Sequence, residues 1–137
     1  MRFVDTNVLL YAISRDEEER SRAQRANDLL DEGDLGLSVQ VLQEFYVQAT
    51  RSGRVDPLSH ERAVLLVESF LRFPTADLTA PIVRAAFETR ERFGISFWDA
   101  AILEAARALG CDVVLSEDLS DGQDYAGVRV ENPYQGL

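Results

Sequence analysis

The sequence predicts an α/β fold: a parallel sheet covered by helices on both faces, within a single domain over residues 1–137. Short apolar strand candidates alternate with amphipathic helical segments along the chain, and strands joined by helices run parallel with both faces covered. A chain of 137 residues fits one domain that buries about two-thirds of its unfolded surface without covalent staples. No internal repeat, low-complexity tract or linker interrupts the alternation.

The elements follow in order. Met1 to Val4 reads as a first strand, and Asp5-Thr6-Asn7 leads into the apolar run Val8 to Ile13, the first turns of a helix. Asp16 to Glu32 is charged, with Ala23, Ala26, Leu29 and Leu30 at helical spacing and Gly33 as its stop. Leu35 to Val39 is a second strand. The helix from Gln40 to Ser52 gathers Val41, Leu42, Phe45, Tyr46 and Ala49 on one face, and Glu44 lies at that face's edge. Asp56-Pro57 reads as a helix start with proline at the first position, the helix running to Leu71 with apolar residues on more than one face.

Phe73 to Leu78 is a third strand, which Pro74 confines to an edge or a strand start. Thr79 caps a helix that reaches Arg92, and Ser96 caps another that Gly110 ends. Asp112 to Ser116 is an apolar strand followed by the turn-rich loop Glu117 to Gly122, and Val128 to Glu131 is the last strand, ended by Asn132-Pro133.

Charge and composition narrow the chemistry. The formal net charge of -10 argues against broad adhesion to nucleic acid, whose affinity comes mostly from neutralising phosphates, but leaves nucleic acid open as a substrate. All basic residues are arginine and none is lysine, so lysine chemistry is excluded while bidentate phosphate binding is not. The single histidine, His60, sits in a polar helix start and reads as solvated, which leaves a histidine zinc site or a serine-histidine triad little to stand on. Cys111 is the only cysteine; it reads as a small buried hydrophobe at a strand start. With no basic-then-apolar leader and no apolar run near the roughly 20 residues that span a bilayer, the expectation is a cytoplasmic protein without a membrane segment.

Four acids stand out against this background. In the run from Gly94 to Leu109, Ile102, Leu103 and Ala106 form an apolar stripe with Asp99 near its middle, and an ionised carboxylate facing a core is costly unless compensated. Ser96 and Asp99 also have the spacing of a capping box, which would explain the acid locally. In a parallel sheet, ligands collect at the carboxyl ends of the strands. Asp5 ends the first strand and Asp118 follows a later one, so both fall on that rim; Asp99 and Glu44 reach it if their helices start there. Each has an ordinary explanation: Asp5 as a helix cap, Asp118 as a turn residue, Glu44 as a solvated flank. Together they would repel one another, and without lysine the natural neutraliser is a hard cation such as Mg²⁺ or Mn²⁺. Metal on a few carboxylates beside open positions is the arrangement that activates water for phosphodiester cleavage.

The series Val4-Asp5-Thr6-Asn7-Val8-Leu9-Leu10, Glu44, Ser96-Phe97-Trp98-Asp99-Ala100-Ala101-Ile102 and Leu115-Ser116-Glu117-Asp118 resembles the PIN-domain nucleases, and within them the VapC-type toxins of bacterial toxin-antitoxin pairs. The resemblance extends to Gly127-Val128-Arg129-Val130-Glu131-Asn132-Pro133. It implies a five-stranded parallel sheet between helices and a Mg²⁺- or Mn²⁺-dependent endoribonuclease. Asp5, Glu44, Asp99 and Asp118 match its catalytic acids, with Asp5, Asp99 and Asp118 as metal ligands. Asn7, Thr6 and Ser116 match the polar positions that orient carboxylates, and Asp121 is an outer ligand through water. Leu119-Ser120-Asp121-Gly122 replaces the family's usual aromatic, so the choice between Asp118 and Asp121 stays open here.

The partners implied are an RNA substrate, an antitoxin whose arginine enters the acidic site, and a second copy in a homodimer. The surplus apolar surface between Asp56 and Leu71 also favours the homodimer. Arg15, Arg20, Arg22 and Arg51 are the candidate RNA contacts. Two alternatives remain: a catalytically degenerate binding module of the same fold, disfavoured because none of the four acids is missing, and a haloacid-dehalogenase-like phosphatase. The second would need an aspartate where Asn7 stands, and normally a lysine or arginine on the aspartyl phosphate.

Overall fold

The computed structural model describes residues 1–137. Six strands order as β3-β2-β1-β4-β6-β5, where β1 is Arg2–Val4, β2 Leu35–Ser38, β3 Thr75–Ala76, β4 Val113–Leu115, β5 Asp124–Tyr125 and β6 Val128–Glu131. The five expected strands are all present and parallel. The sixth, β5, pairs antiparallel with β6 through a tight turn at Ala126 and Gly127, both at positive φ. Two residues are too few to carry an alternating pattern, so β5 left no sequence signal.

Six α-helices join the strands: α1 Thr6–Ala12, α2 Arg20–Glu32, α3 Val39–Thr50, α4 His60–Phe70, α5 Ala80–Phe93 and α6 Phe97–Ala108. A single turn of 3-10 helix, Glu17–Glu19, precedes α2. The sheet strands read apolar because they are buried on both sides: Phe3, Val4, Leu35, Leu37, Val114 and Leu115 all lie in the main core, with Val41, Phe45 and Leu103 from the covering helices. Gly36 packs closely under α6, since a Cβ there would come within 2.9 Å of the Leu109 side-chain end, which would have to shift.

Most boundaries shift by a few residues, and the two that involve proline have a clear cause. Helix α4 begins at His60, not at Asp56-Pro57: Ser59 is the N-cap and accepts from the Arg62 N–H at 3.2 Å. Asp56 takes a left-handed φ of 51°, and the Leu58 N–H donates to the Ala49 carbonyl at 2.8 Å. That bond turns the chain back onto α3 instead of starting a helix, so proline here serves a turn. The strand expected from Phe73 to Leu78 shrinks to Thr75–Ala76 at the sheet edge, where Pro74 contributes only its carbonyl, accepting from Leu37 N–H at 3.0 Å. Thr79 and Ser96 cap α5 and α6 as expected, and Cys111 is buried. No helix is long and apolar enough to cross a membrane.

Candidate active site

Strands β1 and β4 are neighbours at the middle of the sheet. Their register sets Val4 opposite Leu115, which delivers Asp5 and Ser116 side by side at the strands' C-terminal ends. Asp5 is only 5% exposed. Its Oδ1 accepts from the Thr6 N–H at 2.7 Å and its Oδ2 from the Ser116 hydroxyl at 2.8 Å. The helix-cap reading of Asp5 is therefore correct, and so is its place on the rim; one geometry serves both. Those two hydrogen bonds favour the ionised form, yet the Asp5 carboxyl is pushed up from 3.8 to about 6. Burial is the main cause, and the negative charges of Asp118 and Glu44 add to it.

Glu44 comes from the second turn of α3, which Ser38 caps at the end of β2. It is half-buried, not a solvated flank: Oε2 accepts from the Thr6 hydroxyl at 2.7 Å and Oε1 from the Gln40 amide at 2.9 Å. The same Gln40 nitrogen donates to the Trp98 carbonyl at 3.3 Å, tying α3 to the first turn of α6, where Asp99 stands. Ser96 accepts from the Asp99 N–H at 3.0 Å, but the return bond of a capping box, from Ser96 N–H to the Asp99 carboxylate, is not formed. Burial raises the Asp99 carboxyl against the Ser96 hydroxyl, and the charges of Asp118 and Glu44 raise it further.

Asp118 is exposed in the loop after β4, and its N–H donates to Ser116 Oγ at 3.0 Å. The Asn7 amide reaches Asp118 Oδ2 at 3.3 Å and, at a longer 3.4 Å, Ser116 Oγ. Ser116 thus touches Asp5, Asn7 and the Asp118 backbone, while the Asn7 Oδ1 is buried without a partner. None of the ion pairs in the molecule involves Asp5, Glu44, Asp99 or Asp118.

The remaining expected residues divide. Asp121 lies outside the cluster: its carboxylate accepts from the Asn132 N–H at 2.7 Å and the Gln135 amide at 3.3 Å, bracing the chain after β6. Asp118 raises both Asp5 and Asp99 through its charge, and Asp121 raises neither. Arg15 and Arg20 line a separate polar hollow with Asp16 and Glu17, Arg20 pairing with Glu17 at 3.7 Å. Arg22 stands over the Tyr11 ring, and Arg51 is exposed at the end of α3.

Sequence reasoning missed the residues beside Asn7. Tyr11, one helical turn after it, donates its hydroxyl to Glu117 Oε1 at 2.7 Å. Arg54 shares a hollow of about 180 Å³ with both. The spacing of Asn7 and Tyr11 on one helix face was the available signal; Arg54, beyond the end of α3, had none. His60 is exposed as expected, its Nδ1 in contact with the Tyr46 hydroxyl at 2.8 Å.

As they stand, no three acidic, imidazole or thiol groups close around a common point. The donor set still suits a hard divalent cation: oxygen atoms only, no competing cationic partner, and an unpartnered Asn7 oxygen beside Ser116 and Asp118.

The PIN-domain family model matches residues 2–120. Among solved structures, the chain is similar to a toxin-antitoxin complex from Klebsiella pneumoniae, with a TM-score of 0.69, 19% identity and 98% of each chain covered. It is also similar to the sarcin-ricin-loop-cleaving toxin VapC20 of Mycobacterium tuberculosis, with a TM-score of 0.66 and 20% identity over 86% of this chain and 90% of that one. DNA-bound VapBC from Salmonella typhimurium gives 0.65 and 23% over 96% and 97%. At these identities the likeness speaks to the fold. No curated protein sequence matches the chain. The match covers the strands and helices that carry all four acids, and the chain belongs to the PIN-domain family.

Proposed function

We propose that this protein is a Mg²⁺- or Mn²⁺-dependent endoribonuclease and the toxin of a toxin-antitoxin pair. The observation that carries the reading is the rim itself. Four carboxylates from distant parts of the chain share this rim without a cationic partner, near enough that Asp5 and Asp99 are both pushed up by burial and by their acidic neighbours. Such a rim is not kept for stability, because a buried carboxylate without an opposite charge, as Asp5 is, is costly and further acids beside it add to that cost. A divalent ion held by Asp5, Asp99 and Asp118 would supply an activated water and offset charge on the phosphodiester.

The chain's own groups set the geometry. Ser116 and the Thr6 N–H hold both oxygens of Asp5, the Thr6 hydroxyl and Gln40 hold both oxygens of Glu44, and Asn7 steadies Asp118. Glu44 is thereby fixed at the edge of the cluster. Purified protein should cleave RNA with Mn²⁺ or Mg²⁺ and stop in excess EDTA; cleavage that persists in EDTA would overturn the metal dependence. A protein that cleaves no RNA with either ion would leave the binding module of the same fold.

The resemblance to VapC-type toxins and the complexes among the structural neighbours support an antitoxin as partner, and the acids of the rim, which have no cation of their own, suit an arginine from it. We also propose a homodimer. Helix α4 leaves Val64 and Leu65 exposed, as is Leu71 just past its end, and beside it an apolar hollow of about 430 Å³ opens between α3 and α4, lined by Leu42, Tyr46, Val47 and Val67 among others. Light scattering at micromolar concentration should give twice the 15.4 kDa chain mass; a monomer throughout would reject the dimer.

A further inference from the structure

The hollow beside Asn7 is not used by the acidic cluster. It is lined by Asn7, Leu10, Tyr11, Glu19, Arg54 and Glu117, with a volume of about 180 Å³. Asn7 joins it to the cluster, because its amide donates to Asp118, and Glu117 directly precedes Asp118 in the chain. Any group seated there lies one step from the acidic rim.

Its polar groups are held in place and left with capacity to spare. Glu117 Oε1 accepts the Tyr11 hydroxyl at 2.7 Å, while Oε2 has no partner. Arg54 uses one Nη2 hydrogen on the Leu10 carbonyl at 3.3 Å and makes no ion pair, so its other N–H groups remain available. One wall therefore accepts and another donates, with Leu10 as an apolar side.

We propose that this hollow is a base-binding subsite that selects guanine next to the cleaved linkage of the RNA, which rests on the ribonuclease reading above. Guanine alone among the four bases offers two adjacent N–H donors, N1–H and the 2-amino group, to a carboxylate. It also offers O6 and N7 to an arginine, the commonest specific arginine–base pairing. Unpaired bases in single-stranded RNA are recognised in such pockets through these edges. Uracil has one imide donor, and adenine and cytosine one amino group each, so none fills both walls. Glu117 and Arg54 are the contact groups, and Tyr11 is a positioning residue that fixes Glu117.

The test uses short single-stranded RNAs in which guanosine is moved through the positions flanking the cleaved linkage and then replaced by inosine, which lacks only the 2-amino group. The wild type should prefer guanosine at one fixed position and lose roughly tenfold or more in kcat/KM on inosine, the usual scale for one hydrogen bond to a charged group. E117Q, which loses the charge and one acceptor, should narrow the guanosine-to-inosine ratio to about twofold or less. Y11F, which removes only the hydroxyl that holds Glu117, should narrow it partly and serves if E117Q fails to fold.

Indifference to the base, or an inosine penalty undiminished in these variants, overturns the proposal. So does an Arg54→Ala effect equal for every base, which would make Arg54 a phosphate contact. If the protein cleaves no RNA at all, the ribonuclease reading falls separately. Fluorescence anisotropy of the same RNAs on Asp5→Asn protein then decides the subsite: tighter binding of guanosine than inosine supports it, and equal binding rejects it.

Discussion

Helix α6 carries an acid near each end, and the two are treated oppositely. Glu104 is buried in the body of the fold, but it is paired. Arg107, three residues on, donates Nε to it at 3.0 Å, and the Thr89 hydroxyl donates at 2.8 Å. Arg107 also anchors the turn after β5 through the Tyr125 and Ala126 carbonyls, so this acid is part of how helix and sheet are joined. Asp99, at the other end, has a cap bond to its backbone and only other acids as charged neighbours. The same contrast separates Glu104 from Asp5: both are buried, and only Glu104 has a cation. Burial of a carboxylate is thus no sign of function by itself; burial without an opposite charge, beside further acids, is the arrangement on which the proposed function rests.

That contrast is broken most decisively by removing charge on each side of it. Asp5→Asn and Asp118→Asn should each reduce RNA cleavage by about a thousandfold or more while the protein stays folded, as expected for groups needed as a unit in the transition state. Glu104→Gln should do the reverse, cleaving normally per folded molecule but losing about 2 kcal/mol of stability as a charged hydrogen bond and the Arg107 anchor weaken. Cleavage assays paired with thermal melts check both. If Glu104→Gln lost activity while its melting temperature was unchanged, the division between structural and functional acids would be wrong.

Much of this was legible in the sequence, because the signals were periodic or chemical. The apolar runs of β1, β2 and β4 and the Thr79 and Ser96 caps placed the sheet ends, and with them Asp5, Asp99 and Asp118. Proline misled at Asp56-Pro57, where a turn and a helix start share the same residues and only the Leu58 bond to Ala49 decides between them. Glu44 was placed correctly at the edge of an apolar face, but its grip by Thr6 spans 38 positions, a contact no local pattern encodes. Asp121 and Asp118 sit in one turn-rich loop with the same side chain; only the fold back from Asn132 separates them. The arginines were chosen by charge alone, and charge without position passed over Arg54.

A second test sharpens the comparison through pH. The Asp5 carboxyl ionises near 3.8 when unfolded and at about 6 in the metal-free fold. Between those values the folded state binds more protons than the unfolded one, so stability falls as pH rises through the window and levels off above about 6. The full difference is about 3 kcal/mol. Denaturant melts in EDTA from pH 3.5 to 7.5 should show this decline superimposed on the other carboxylates, and Asp5→Asn should lack it. An Asp5→Asn curve parallel to the wild type would mean that Asp5 is compensated in the metal-free fold after all.

The smallest effect is expected at Asp99, where two explanations meet on one side chain. As a capping acid it should stabilise α6: its removal would cost a few tenths of a kcal/mol to about 1, and the response of the protein to Mn²⁺ would not change. As a member of the rim it carries a raised pKa from burial and from Asp118 and Glu44, so its ionised form opposes folding at neutral pH. The structure gives the cap role to the backbone N–H and to Ser96, which Asn at position 99 would preserve. Asp99→Asn should therefore raise metal-free stability at pH 7, by less than about 1 kcal/mol because the half-exposed carboxylate is partly screened by solvent. If the rim binds Mn²⁺ as proposed, the substitution should also remove the stability that the ion adds to the wild type, since an ion that binds only the folded state stabilises it more the tighter it binds. Thermal melts of the two proteins, each with EDTA and with Mn²⁺, separate the cases: a variant that melts lower in EDTA and keeps its full Mn²⁺ shift would make Asp99 an ordinary helix acid, the counterpart of Glu104 rather than its opposite.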